Sequence, residues 1–239
     1  YSDSAPEAQY LMARCYEAKE KTEKAFKGYQ RLIERYPKLD KFEEIIQRQF
    51  GIANRHLAGK SFKIWGVVPW FRSMAKTIEM YEQIVKNGRY SSVAPQAQMN
   101  IAAAHENKKI LWAQAPAYAE AGKAYELAAD RYNDKPIGAD AMFKAGEAYT
   151  RQAKTAEYDQ SIAGTAIATF SDFSILHPDD SRVPLAQRNI DALKTEQARG
   201  SFKVAQFYEK RRRWQGALIY YNDVLLKDPT SSYADEARL

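Results

Sequence analysis

Six positions near the start of the chain recur at the same spacing near its end. Met12, Ala13, Tyr16, Ala25, Tyr29 and Pro37 step by one, three, nine, four and eight residues, and Val204, Ala205, Tyr208, Ala217, Tyr221 and Pro229 take the same steps. A self-similar period of this length means one supersecondary unit used more than once, because such a unit buries its apolar face only by stacking on a copy of itself. Residues three or four apart share one face of a helix, so Ala13 and Tyr16 mark a first helix and Ala25 and Tyr29 a second. Small alanines let the two helices approach closely, and the tyrosines fill the space beside them. Proline ends the second helix, since it lacks an N–H and disfavours helix in the residue before it. This is the tetratricopeptide pattern.

Three stretched copies lie between. Ala102, His105, Ala121, Tyr125 and Asn133 form one, and Gly146, Tyr149, Ala166, Phe170 and Pro178 another; only the middle step grows, to 16 and 17 residues. The extra residues amount to about two helical turns, one on each antiparallel helix. The remaining copy runs Gly51, Asn54, Thr77 and Tyr81, with a middle step of 23 residues that contains Lys63-Ile64-Trp65-Gly66-Val67-Val68-Pro69-Trp70-Phe71. That stretch is expected to be a projecting loop or broken helix, with Trp65, Trp70 and Phe71 as a candidate contact patch.

The joints repeat too. Ser4-Ala5-Pro6-Glu7-Ala8, Val93-Ala94-Pro95-Gln96-Ala97 and Tyr233-Ala234-Asp235-Glu236-Ala237 each suit the first turn of a helix, where proline and acidic residues are favoured, with Ser231 or Ser232 as cap of the last. No strand-like alternation persists, and glycine (11) and proline (9) are scarce enough to favour helix. The fold class is therefore all-α, a tetratricopeptide-type α-solenoid of about five antiparallel helical hairpins plus a terminal helix. It is read as a single domain over residues 1–239, with repeats at 5–37, 42–89, 94–133, 138–178 and 197–229 and a partial helix at 231–239.

Chemistry is hard to find in this sequence. It has no His-Glu-x-x-His and no spaced pair of cysteines, so no metal site is expected. Gly59-Lys60-Ser61 resembles the end of a phosphate loop, but Asn54 stands where the loop needs glycine. His56, His105 and His177 fall in different repeats, and Cys15 reads as a small buried hydrophobe. No catalytic residue and no cofactor is expected, and the chain is read as a non-enzyme. The formal charge is +6, spread along the chain except for the run Lys210-Arg211-Arg212-Arg213. That run precedes Trp214 and reads either as a solvated turn or as a docking site for an acidic partner surface; basic clusters on aromatic platforms are otherwise lacking, which argues against nucleic acid. Tyr1 opens in what reads as the loop before a helix, as expected of a trimmed piece of a longer protein.

The stretch from Ala166 to Ala237 resembles the BamD (YfiO) family of periplasmic tetratricopeptide lipoproteins, which serve the outer-membrane β-barrel assembly machinery. The likeness rests on Ala168-Thr169-Phe170-Ser171-Asp172-Phe173-Ser174, Pro178-Asp179-Asp180-Ser181, Ala186-Gln187-Arg188-Asn189-Ile190, Ala205-Gln206-Phe207-Tyr208, the basic turn with Trp214, and Asp228-Pro229. The chain departs from the family at His177 and at Lys227-Asp228, where Tyr-Pro endings are common, in the insertion around Trp65–Phe71, and in one extra central repeat. The resemblance implies a scaffold on the periplasmic side of the outer membrane, attached only through a lipid anchor. Its partners would be other cell-envelope proteins, among them the barrel-forming subunit. Two alternatives stay open: a periplasmic adaptor for other envelope or division proteins, and a helical repeat domain of a larger enzyme. Stacked hairpins suit all these uses of a long binding surface.

Overall fold

A computed structural model describes residues 4–64, 68–71, 73–108, 117–155 and 160–238; within these, the side chains of 62–71, 155 and 160 are outside the description. The fold class is that of the tetratricopeptide α-solenoids. The described residues form α1 (Ala5–Ala18), α2 (Thr22–Arg35), α3 (Phe42–Leu57), β1 (Phe62–Ile64), β2 (Val68–Phe71), α4 (Met74–Asn87), α5 (Ala94–Glu106), α6 (Tyr118–Arg131), α7 (Pro136–Thr155), α8 (Gln160–Leu176), α9 (Val183–Lys210), α10 (Trp214–Lys227) and α11 (Ser232–Ala237). They fall into two compact units, Tyr1–Ala128 and Ala129–Leu239.

In the first unit α1 pairs with α2, α3 with α4, and α4 with α5. The small residues do what the spacing requires. Ala13 is buried, and a Cβ added at Gly28 would lie 3.1 Å from that of Ala13, so α1 and α2 touch almost backbone to backbone. Ala25, Tyr29 and Leu32 of α2 and Ile45, Ile46 and Ile52 of α3 are fully buried, as are Tyr81 and Ile84 of α4. Helix α3 runs antiparallel to α2: Gln49 donates to Gln30 at 3.1 Å, and Thr22 at the start of α2 meets His56 near the end of α3 at 3.0 Å.

In place of the expected projecting loop or broken helix, the described residues of the insertion form two short strands. The strands pair antiparallel, with Phe62 opposite Phe71, Lys63 opposite Pro69 and Ile64 opposite Val68. The β-branched and aromatic content of both arms favours extended backbone, while Gly66 and Pro69 oppose helix. Trp65 lies outside the described residues, and Trp70 and Phe71 are described through their backbone alone.

In the second unit α9 is one helix of 28 residues, beginning at Val183, ahead of the repeat start expected at 197. Its first half closes a core with α7 and α8 made of Phe143, Phe170, Phe173, Ala186 and Ile190. Its second half closes another with α10 and α11 made of Ala198, Phe202, Val224 and Ala234. Arg182 clamps the start of α9, bonding Asp140 and Asp180 at 2.8 Å each while its guanidinium lies over the rings of Phe143 and Phe173. The expected extra turns are present in α7 and α8, with 20 and 17 residues. They are absent from α5 and α6, with 13 and 14, whose extra residues lie in the connection containing 109–116, outside the described residues.

Four burial expectations need correction. Cys15 is exposed, because it sits on the α1 face with Leu11 and Met12, away from α2. Tyr16, Tyr208 and Tyr221 are only half-buried, unlike Tyr29 and Phe170: the Tyr221 hydroxyl bonds the exposed Glu209, and the Tyr208 ring stacks on half-buried Tyr220.

Candidate functional site

The basic run ends α9 and forms the tight turn into α10. Tyr208 closes the turn: its carbonyl accepts from the N–H groups of both Arg211 and Arg213, and Glu209 accepts from Arg212 at 2.7 Å. Arg212 takes a left-handed backbone at φ 57°, which an L-residue other than Gly, Asn or Asp rarely adopts. All four cations, Lys210 to Arg213, are exposed. The Arg211 guanidinium lies 3.6 Å from the centre of the Phe207 ring, a cation–π contact on an exposed aromatic.

Trp214 opens α10 and is 62% exposed, followed on the same helix by Leu218 at 63% and Ile219 at 66%. The opposite face of α10 is firmly held. Ala217 is buried, Gly216 packs against the Tyr208 ring, and Tyr208 stacks on Tyr220 with ring centres 5.6 Å apart. The Tyr221 hydroxyl donates to Glu209 at 2.5 Å, and desolvation with that carboxylate pushes its pKa up to about 12. The turn is therefore a rigid edge presenting four cations beside a strip of apolar side chains. Such an edge can attract an anionic surface over distance and hold it by desolvated aromatic contact.

Of the other predicted site residues, Trp70 and Phe71 belong to β2 of the first unit and are described through their backbone alone, and Trp65 lies outside the described residues. The phosphate-loop fragment is a helix end: Gly59 has φ 106°, and the Lys60 carbonyl accepts from His56. His105 is half-buried at the end of α5, and burial lowers its pKa. Among the described residues, no group of three or more His, Cys, Asp or Glu side chains could hold a metal ion, and no helix is long and apolar enough to cross a membrane.

Sequence reasoning passed over two features of the site. Leu218 and Ile219 were not singled out, because a lone leucine on a helix ordinarily faces a core. The Tyr221–Glu209 bond was also missed, although it recurs in the first hairpin, where Tyr29 donates to Glu17 at 2.8 Å. Both pairs are 12 residues apart, and both turns place a left-handed residue at the same repeat position, Glu20 and Arg212. Extending the repeat alignment from apolar to polar positions would have found them.

No curated protein matches the chain. Residues 7–38, which hold all but the first two residues of α1, the whole of α2, and Pro37, match the tetratricopeptide repeat family. The chain thus carries a tetratricopeptide repeat where the sequence spacing places its first, and repeats of this type are scaffolds for protein–protein interaction.

Proposed function

We infer that the protein is a scaffold of the BamD kind, lipid-anchored on the periplasmic side of the bacterial outer membrane, where it holds other subunits of the barrel-assembly machinery. The reading draws on the sequence likeness between Ala166 and Ala237 and on one structural observation: the exposed basic turn Lys210–Arg213 stands next to exposed Trp214. Tryptophan and arginine are the residues most enriched at binding hot spots, and four adjacent cations repel one another, so the turn gains nothing within its own hairpin from having all of them. A folded partner with an acidic face meets both needs.

The test is crosslinking and co-purification of the full-length protein from native envelopes, wild type against a triple reversal of Arg211, Arg212 and Arg213 to Glu. The fold should survive, since all three side chains are exposed. Association with the barrel-forming subunit should weaken by about tenfold or more at low salt, mainly through a slower on-rate, and the difference should shrink as salt is raised. Equal capture by wild type and triple reversal at low salt would remove the turn from the interface, and absence of the barrel-forming subunit would remove the BamD reading.

A further inference from the structure

The basic turn continues into a charged and apolar stripe along α9. By the repeat alignment Val204 and Phe207 correspond to Ile101 and Ala104 of α5 and to Ala145 and Ala148 of α7. All four counterparts are buried. Phe207, much the largest of the set, is 49% exposed, and Val204 is half-buried. The length of α9 is the physical reason. Helix α5 packs on α4, the helix before it, and α9 likewise packs on α8. But α8 has 17 residues and α9 has 28, about 25 Å against about 42 Å. The core that α8 shares with α9 uses Ala186 and Ile190, in the first half of α9. Val204 lies about four turns beyond Ile190. Val204 and Phe207 also lie on the far side of α9 from Ala198 and Phe202, which pack toward α10 and α11. Their exposure therefore follows from the length of α9 and from the side on which α10 and α11 pack.

Lys203, Val204, Phe207, Lys210 and Arg211 share this side of the helix, and no carboxylate stands among them. The three cations are exposed, and none has an ion-pair partner among the described residues. The arginines of α3 differ, since Arg48 and Arg55 both hold Glu17. The Arg211 guanidinium lies over the Phe207 ring, and Tyr208 meets the same ring edge-on with centres 5.7 Å apart. A guanidinium in that position gives its flat face to the ring and keeps its N–H edge for a carboxylate. Ring and cation are thus held in place before anything binds.

We propose that this side of α9 binds an acidic amphipathic helix of a partner protein, lying along α9 as α4 lies along α5. One carboxylate meets Arg211 and Lys210, a second meets Lys203, and the apolar residues between them cover Val204 and Phe207. Lys203 and Lys210 are seven residues apart, about 10 Å along the axis, which is also the rise between positions i and i+7 of the incoming helix. Positions i+3 and i+4 then fall between the two carboxylates on the same face. An extended segment covers about 10 Å in three residues, and side chains three apart in a strand point to opposite sides, so a helix fits the stripe and a strand does not.

This inference rests on the reading of the last hairpin as a protein-docking edge and extends it from the turn onto α9; its test is separate from the envelope experiment. The probes are two side-chain-stapled peptides of about four turns with Leu at i+3 and i+4, one carrying Glu at i and i+7 and the other Lys at both. Fluorescence anisotropy against the full chain should give tighter binding of the Glu peptide, by about tenfold at low salt, with the difference shrinking as salt is raised. Lys203→Glu, two turns from the basic turn, should cut that preference to about twofold. Phe207→Ser should weaken both peptides by about fivefold. The Lys203 side chain is exposed, so its reversal tests the stripe even where circular dichroism shows that Phe207→Ser unsettles the hairpin. Equal binding of the two peptides, binding of neither, or an unchanged preference in Lys203→Glu overturns the inference and leaves capture by the turn itself in place. Binding of anionic phospholipid vesicles that Lys203→Glu abolishes, with no peptide bound, would make a membrane the occupant. Self-association in sedimentation that Phe207→Ser abolishes would make it a second copy, and either result overturns the inference. Loss of the barrel-forming subunit from envelope capture, with peptide discrimination intact, would instead overturn the BamD reading alone.

Discussion

Gly146→Ala sets two effects of known sign against each other. Glycine inside a helix is less favourable than alanine by about 1 kcal/mol, so the substitution alone should stabilise α7. A Cβ at Gly146, however, would lie 2.7 to 2.8 Å from three ring atoms of Phe170. Phe170 is fully buried, and its ring is held edge-on by Phe143 at 5.5 Å between centres, so it has little room to retreat. Overpacking a filled core costs about 1–3 kcal/mol. The clash should win, leaving the variant less stable by about 1–2 kcal/mol. Gly164→Ala is the control within the same unit, since a Cβ there meets nothing within 4 Å and only the propensity gain remains. Denaturant unfolding followed by far-ultraviolet circular dichroism should place the two variants on opposite sides of wild type. In the double variant, Phe170→Leu should recover part of the loss from Gly146→Ala, because a smaller side chain makes room for the methyl. If Gly146→Ala were as stabilising as Gly164→Ala, the close packing of α7 on α8, and with it the hairpin register, would be wrong.

His56 is buried neutral, its Nε2 facing the Thr22 hydroxyl and its Nδ1 the Lys60 carbonyl, and burial lowers its pKa below the ordinary 6.5. The unfolded chain therefore takes up the proton first. Stability should fall as pH drops from about 7 to about 5, and His56→Gln should flatten that part of the denaturation-midpoint profile. Arg182 holds the Asp180 carboxyl down at about 2. Its stabilising contribution is complete above about pH 4 and lost toward pH 2, worth about 1 kcal/mol after allowance for solvent screening, so Asp180→Asn should lose less stability than wild type over that range.

The hairpins could be read from sequence because their signal is local: small residue, aromatic, breaker, at fixed steps. Gly146 against Phe170 joins two positions of that pattern, and Ala13 approaches α2 closely as a small residue should, although its partner there is Gly28, which the pattern does not include. The bounds of α9 were less legible. Nothing between Val183 and Lys210 breaks the helix, since Gly200 is a single glycine in an otherwise favourable run, and the repeat alignment covers only its second half. The ribbon of Phe62–Phe71 was missed because an apolar run this short has the same composition as a buried helix segment, and only its pairing distinguishes them. At the candidate site the charge was visible and the apolar strip was not. Whether Leu218 is buried depends on what covers α10, which no property of Leu218 itself encodes.

Glu20 and Arg212 bear on that division between what the fold needs and what the surface offers. Both occupy the left-handed position of an otherwise equivalent turn, at φ 54° and 57°, in hairpins held by equivalent Tyr–Glu bonds. A non-glycine residue there costs about 1 kcal/mol relative to glycine. A turn serving only to reverse the chain would be better made with glycine, yet both positions carry a long charged side chain, of opposite sign. In the first unit the charge is used, since Glu20 meets Lys60. By the same logic, Arg212 is retained for a charge that comes from outside its hairpin. Arg212→Gly should therefore separate the two roles. The fold should gain up to about 1 kcal/mol in denaturant unfolding, while association with an acidic partner surface should weaken at low salt. A variant that lost stability would show that the Arg212 side chain supports the turn itself, and one that gained stability yet kept full association would pass the recognition role to Arg211 and Arg213.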